Sequence, residues 1–126
     1  MSSVLRLKNV SKTYRLGEVD IHALREVSIE VDRGEFVAIM GPSGSGKSTF
    51  LQIASILNAP SEGEIWFNGR EVGNYSEVEQ AHLRNQEIGF VFQQFNLLPR
   101  TTAIDNVALP LLYANVDVDE RTKRAI

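Results

Sequence analysis

Hydrophobic and polar residues alternate along two early stretches of the chain. Leu5-Arg6-Leu7-Lys8-Asn9-Val10 does so roughly, and Val27-Ser28-Ile29-Glu30-Val31 cleanly, with Val27, Ile29 and Val31 on one face. A period of two predicts half-buried strands. Between them, Ser11-Lys12-Thr13-Tyr14-Arg15 leads to a polar turn at Gly17-Glu18, and Ile21-His22-Ala23-Leu24 is a shorter candidate strand. Asp32-Arg33-Gly34 signals a turn. Glu35-Phe36-Val37-Ala38-Ile39-Met40 is then a short apolar run of the kind a buried strand requires.

From Thr49 to Leu57 the apolar residues recur at helical spacing with no Gly or Pro, and Asn58-Ala59-Pro60 stops the pattern. Ser61-Glu62-Gly63 is a turn, Glu64-Ile65-Trp66-Phe67 a strand, and Asn68-Gly69 a tight-turn dipeptide. Ser76 with Glu79 forms a capping-box pattern that predicts a helix starting near Ser76. Ile88-Gly89-Phe90-Val91-Phe92 is a second buried-strand run, ending at Gln93-Gln94. Leu97-Leu98-Pro99 is a loop. Thr102 opens a helix through Ile104, Val107, Ala108, Leu111 and Leu112, with Pro110 expected to kink or interrupt it. A charged helical pattern occupies Val118 to Ile126.

Composition narrows the class without changing this picture. With 126 residues, 43% hydrophobic and 23% charged, the chain has the make-up of one small soluble globular domain. A net charge of -3 offers no global basic field, so no nucleic-acid partner is expected. There is no Cys, which excludes disulfides and thiolate-bound zinc. Met1-Ser2-Ser3-Val4-Leu5-Arg6 lacks the basic-then-apolar build of a leader. No apolar run approaches the ~20 residues that span a bilayer.

Chemistry concentrates between the apolar run 35–40 and the helical pattern that follows it. Gly41-Pro42-Ser43-Gly44-Ser45-Gly46-Lys47-Ser48 fits G-x-x-x-x-G-K-[ST], the phosphate-binding loop, in the expected strand–loop–helix setting. Glycines let the backbone curl so that its N–H groups point inward, and the helix start adds unpaired N–H groups and the positive end of its dipole. Lys47 is the candidate for the β- and γ-phosphates, and Ser48 for Mg²⁺ bridging them. A Rossmann fingerprint is excluded, because Thr49 stands where its third small residue belongs. The absence of Asn-Lys weighs against a GTPase, while a P-loop kinase stays open on this motif alone.

Two further features make the chain resemble the N-terminal part of an ATP-binding-cassette (ABC) transporter ATPase, with most similarity to the lipoprotein-release and macrolide-export type. Tyr14, in Ser11-Lys12-Thr13-Tyr14, stands where that family has its adenine-stacking aromatic. Gly89-Phe90-Val91-Phe92-Gln93-Gln94-Phe95-Asn96-Leu97-Leu98-Pro99 is similar to the family's Q-loop region, with Gln93 as its glutamine. The resemblance implies an α/β fold: a P-loop NTPase core with an N-terminal antiparallel β portion to about residue 93 and the start of a helical subdomain over about 94–126. It implies ATP and Mg²⁺ as cofactors, held by Tyr14 and by Gly41, Pro42, Ser43, Gly44, Ser45, Gly46, Lys47, Ser48 and Thr49. Ser48 and Gln93 are the implied Mg²⁺ ligands, and Lys47 and Gln93 the implied catalytic groups. It also implies membrane permease partners at the Q-loop and helical surface, a second copy of the subunit, and a peripheral place on the cytoplasmic face of the cell membrane.

The family's second half has no counterpart in these residues. They contain no L-S-G-G-Q signature, no apolar strand ending in Asp-Glu and no switch histidine. His22 and His82 precede the Q-loop and are read as surface residues. Asp119-Glu120 follows Asn115-Val116-Asp117-Val118, too polar a lead-in for a catalytic strand, and is read as a helix start. The 126 residues are therefore expected to be a truncated form that binds ATP·Mg²⁺ without hydrolysing it at family rates. A soluble ABC ATPase of translation or DNA repair and a non-hydrolysing binding fragment are the alternatives.

Overall fold

The computed structural model describes residues 3–126. The first two positions of the stretch weighed as a leader lie outside them. The chain divides into two compact units, the first extending to Gln80 and the second running Ala81–Ile126.

The first unit is built on an antiparallel sheet. Strands β1 (Ser3–Leu16) and β2 (Val19–Asp32) form a long hairpin around Gly17-Glu18. Strand β3 (Glu62–Phe67) pairs with β1, and β4 (Arg70–Glu71) with β3, giving the order β2-β1-β3-β4. The alternation over 27–31 is realised: Val27, Ile29 and Val31 are half-buried while Ser28 and Glu30 are exposed.

The segments the sequence offers as separate strands join because bulges carry the ladder across them. Between Leu7↔Ile29 and Val10↔Val27, β1 holds one extra residue, with Asn9 at φ 49. Between Val10↔Val27 and Lys12↔Leu24 the extra residue is on β2, with Glu26 at φ 47. Serine hydroxyls catch the backbone donors that the bulges displace. The Asn9 N–H donates to Ser28 Oγ at 2.9 Å, and the Glu26 N–H to Ser11 Oγ at 2.9 Å. Gly63 lies against the first bulge at φ 98, where an added Cβ would fall 2.5 Å from the Asn9 carbonyl oxygen.

Helix α1 (Lys47–Ala54) packs on β1 and β2. Its Phe50 and Ile53 are buried, as are Leu7, Val10 and Leu24 of the hairpin and Ile65 and Phe67 of β3. The helix ends before the expected stop at Asn58-Ala59-Pro60. Ser55 Oγ donates back to the Leu51 carbonyl at 2.6 Å and Ile56 takes φ 61, turning the chain out of the helix. At the β3–β4 turn, Asn68 (φ 48) and Gly69 (φ 77) adopt the two left-handed conformations of a tight hairpin.

Helix α2 (Glu77–Glu87) starts at the anticipated capping box. The Glu79 N–H donates to Ser76 Oγ at 3.2 Å, and the Ser76 N–H donates to Glu79 Oε2 at 2.7 Å. That backbone donor first, and the Ser76 side chain second, hold the Glu79 carboxyl below its ordinary value of 4.5. In the second unit, α3 (Ala103–Tyr113) is capped by Thr102, whose hydroxyl accepts from the Asp105 N–H at 3.1 Å. It runs through Pro110 without breaking. Helix α4 (Val118–Ala125) packs on α3 and is capped by Asp117, which puts Asp119 and Glu120 in its first turn. They are the helix start read from the sequence.

Two expectations are corrected. Glu35–Met40 and Ile88–Phe92 are not strands, and Phe36 is 95% and Val91 96% exposed. An apolar run suited to a parallel sheet becomes a strand only when neighbours supply its hydrogen bonds. Among the described residues neither run has such a neighbour.

Candidate functional site

The glycine-rich stretch runs directly into α1. The Ser45 N–H donates to the Pro42 carbonyl at 3.2 Å, closing a turn, and Gly46 at φ 95 is the helix N-cap. No side chain caps this end and no acidic residue lies in the first turn. The first-turn N–H groups thus have no intrahelical partner and point toward the loop. Lys47 folds back over it. Its Nζ donates to the Gly41 carbonyl at 2.6 Å, the Pro42 carbonyl at 2.7 Å and Ser45 Oγ at 3.3 Å. An ammonium, a helix N-terminus and the Ser48 hydroxyl gather within one short segment that contains no carboxylate.

The sheet fixes where this loop sits. Between Lys12↔Leu24 and Thr13↔His22, β2 carries one extra residue, Ala23. An added Cβ on Gly46 would fall 2.5 Å from the Ala23 carbonyl oxygen. Only glycine permits so close an approach at this φ. The bulge thereby seats the loop against the end of the hairpin that carries Tyr14, which pairs with Ile21.

Tyr14 is half-buried and its hydroxyl accepts from Asn58 Nδ2 at 3.0 Å. The Lys12 ammonium stands over the Tyr14 ring, 5.2 Å from its centre. Lys12 Nζ also donates to Asn58 Oδ1 at 3.2 Å and to the Ala59 carbonyl at 2.7 Å. This cluster is not legible in the sequence, where Asn58 reads only as part of a helix stop.

The first unit therefore holds both Tyr14 and the segment Gly41–Thr49, with Gly46 set against Ala23 of the hairpin. Gln93 belongs to the second unit, at an exposed bend directly after the apolar run 88–92. His22 and His82 are both exposed. Among the described residues no group of three or more His, Cys, Asp or Glu forms a metal cage. The donor set suits a polyphosphate whose oxygens supply most of a Mg²⁺ shell, as this ion usually requires.

A glycine-rich loop entering an open helix N-terminus, with lysine at the first helical position, defines the phosphate-binding-loop class. The family model described as ABC transporter matches residues 24–126, and the chain belongs to that family. It is 52% identical over 125 residues to an ABC transporter ATP-binding protein of Thermotoga maritima, covering 99% of this chain and 53% of that protein. It is 52% identical over 111 residues to the macrolide export ATP-binding/permease protein MacB of Bdellovibrio bacteriovorus, covering 88% of this chain and 17% of that protein. Among solved structures, the ATP-binding cassette MJ0796 of Methanocaldococcus jannaschii, a dimer bound to ADP and Pi, superposes with a TM-score of 0.89 at 48% identity. That match covers 96% of this chain and 53% of the cassette. The chain thus spans about half the length of the Thermotoga maritima protein and of the MJ0796 cassette.

Proposed function

We propose that the chain supplies the ATP-binding part of a transporter's energy-converting subunit, of the macrolide-export and lipoprotein-release type. The observation that carries this is the electropositive loop Gly41–Ser48, with Lys47 laid across it and an uncapped helix behind it. Lys47 exchanges its carbonyl partners for the β- and γ-phosphate oxygens. The backbone from Gly41 to Thr49 holds the remaining phosphate charge, and Ser48 Oγ ligates Mg²⁺. When bound, Mg²⁺ neutralises charge between those phosphates. Tyr14 presents its ring to the base, a contact worth about 1–3 kcal/mol in comparable stacking. By resemblance alone, Gln93 of the second unit is the candidate whose amide would serve Mg²⁺ or the attacking water.

Through this site the subunit couples ATP binding and hydrolysis to work done by membrane permease partners. A second copy completes the assembly at the cytoplasmic face of the membrane. The support is that MacB is named as an ATP-binding/permease protein and that the MJ0796 cassette is a dimer. No helix among the described residues is long and apolar enough to cross a membrane.

The 126 residues hold nucleotide without steady turnover, since the segment Gly41–Thr49 contains no carboxylate to polarise water. Equilibrium dialysis with ATP·Mg²⁺ tests this, together with a phosphate-release assay. Binding that is lost in Lys47→Ala, with no release above background, is the expected result. Steady release by the purified polypeptide that Lys47→Ala abolishes would refute the non-hydrolysing reading.

A further inference from the structure

We propose that Asn58 is a positioning residue for nucleotide-base recognition, acting through Tyr14; the inference rests on the reading of Tyr14 as the base-contacting ring. Asn58 lies beyond the end of α1, and its two amide atoms serve two partners. Nδ2 donates to the Tyr14 hydroxyl at 3.0 Å, while Oδ1 accepts from Lys12 Nζ at 3.2 Å. Lys12 is anchored again by the Ala59 carbonyl at 2.7 Å and stands over the Tyr14 ring.

The geometry has two consequences. An aromatic ring on a strand end retains rotation about its side-chain bonds. A hydrogen bond at the far end of the ring removes that freedom before any ligand arrives, which is the general route to tighter binding without new ligand contacts. The ammonium also occupies one face of the ring, so a base is left the opposite face. A hydrogen-bonded pair and a cation thus define both the tilt of Tyr14 and the side on which it stacks. The α1 that begins at Lys47 ends at Ala54, and the Asn58 N–H donates back to the Gln52 carbonyl at 3.2 Å, so a hydrogen bond ties the base anchor to the helix that carries the phosphate anchor. Asn58 touches neither phosphate nor base in this arrangement.

Equilibrium dialysis of the full chain against ATP and, separately, inorganic tripolyphosphate tests the proposal, with far-UV circular dichroism as a check on folding. Asn58→Leu should weaken ATP binding roughly three- to tenfold, the range expected for one hydrogen bond. Tripolyphosphate binding should not change. Tyr14→Phe should match it, and the double variant should be no weaker than either single one, because both remove the same bond. Asn58→Asp should recover ATP affinity, since a carboxylate accepts from both the Tyr14 hydroxyl and Lys12. If Tyr14→Ala weakens ATP binding but Asn58→Leu does not, the positioning role is wrong and the base reading stands. Equal losses for ATP and tripolyphosphate in Asn58→Leu would also overturn it, as a general structural effect. If Tyr14→Ala leaves ATP binding unchanged, the reading of Tyr14 fails and this proposal goes with it.

Discussion

Two sets of apolar segments in this chain have had opposite fates. Leu5–Val10, Val27–Val31 and Glu64–Phe67 are strands, whereas Glu35–Met40 and Ile88–Phe92 are not. Composition does not separate them, since Ile88-Gly89-Phe90-Val91-Phe92 is as apolar as Glu64-Ile65-Trp66-Phe67. Topology does. An antiparallel strand can find its partner across a short turn, as β1 finds β2 across Gly17-Glu18. A parallel strand needs a partner a dozen or more residues away through a crossover. Strand character here belongs to the pair and not to the segment.

The largest test of that comparison strikes the close approach that holds β3 to β1. Gly63→Ala places a Cβ 2.5 Å from the Asn9 carbonyl oxygen and 2.6 Å from Val10 Cα, on a backbone at φ 98. Neither backbone atom can move without opening the bulge. The expected cost is about 3 kcal/mol or more, read as a fall in the urea midpoint. A variant that melts like the parent would show that β3 is not held by this contact.

Next in size is Ser11→Ala. It strips the acceptor from the Glu26 N–H at the second bulge, at a cost of about 1 kcal/mol. Hydrogen exchange at Glu26 should accelerate, while exchange at Leu7, across the first bulge, stays slow. Uniform acceleration along β1 would mean that the bulges are not separately stabilised.

Much of this organisation was legible in the sequence, and the gaps have physical causes. Alternation located the half-buried strands, Asn68-Gly69 marked its hairpin, and Ser76 with Glu79 placed the start of α2, because each signal is local. The bulges at Asn9, Ala23 and Glu26 were not legible. A single extra residue shifts the alternation by one, as the buried Leu7 and Val10 show across Asn9, but on one strand that shift reads the same as a break between two segments until the partner is known. The Gly41–Ser48 loop announced itself because its chemistry demands glycines and a lysine at fixed spacing. Asn58 did not, because a side-chain amide reaching Tyr14 from 44 residues away depends on the packing of α1 on the hairpin.

A smaller effect is expected from Glu79→Gln. The carboxyl of Glu79 is held below its ordinary value by the Ser76 N–H. A folded value below the unfolded one means that the ionised group stabilises α2 at pH above the ordinary 4.5. That contribution is lost as pH falls through the depressed folded value. Glu79→Gln should flatten the acid limb of the stability profile in this window and leave its shape near neutrality unchanged. An acid limb identical to the parent's would separate the cap from the titration.

The smallest effect on stability is expected where the two sets of segments differ most. Phe36 and Val91 are each almost wholly exposed, so neither side chain contributes burial that a polar replacement could remove. Phe36→Ser and Val91→Ser should each leave the urea midpoint within about 0.5 kcal/mol of the parent. The same exposure makes these runs sites for association between polypeptides, because an apolar segment with unmade backbone hydrogen bonds offers an edge to any other. Light scattering of the 126-residue polypeptide should therefore show aggregation that both substitutions reduce, although neither changes the melt. A midpoint that drops by several kcal/mol would mean that the runs are buried and paired. The contrast with β1–β3 would then lie in the length of the strands and not in whether partners are present.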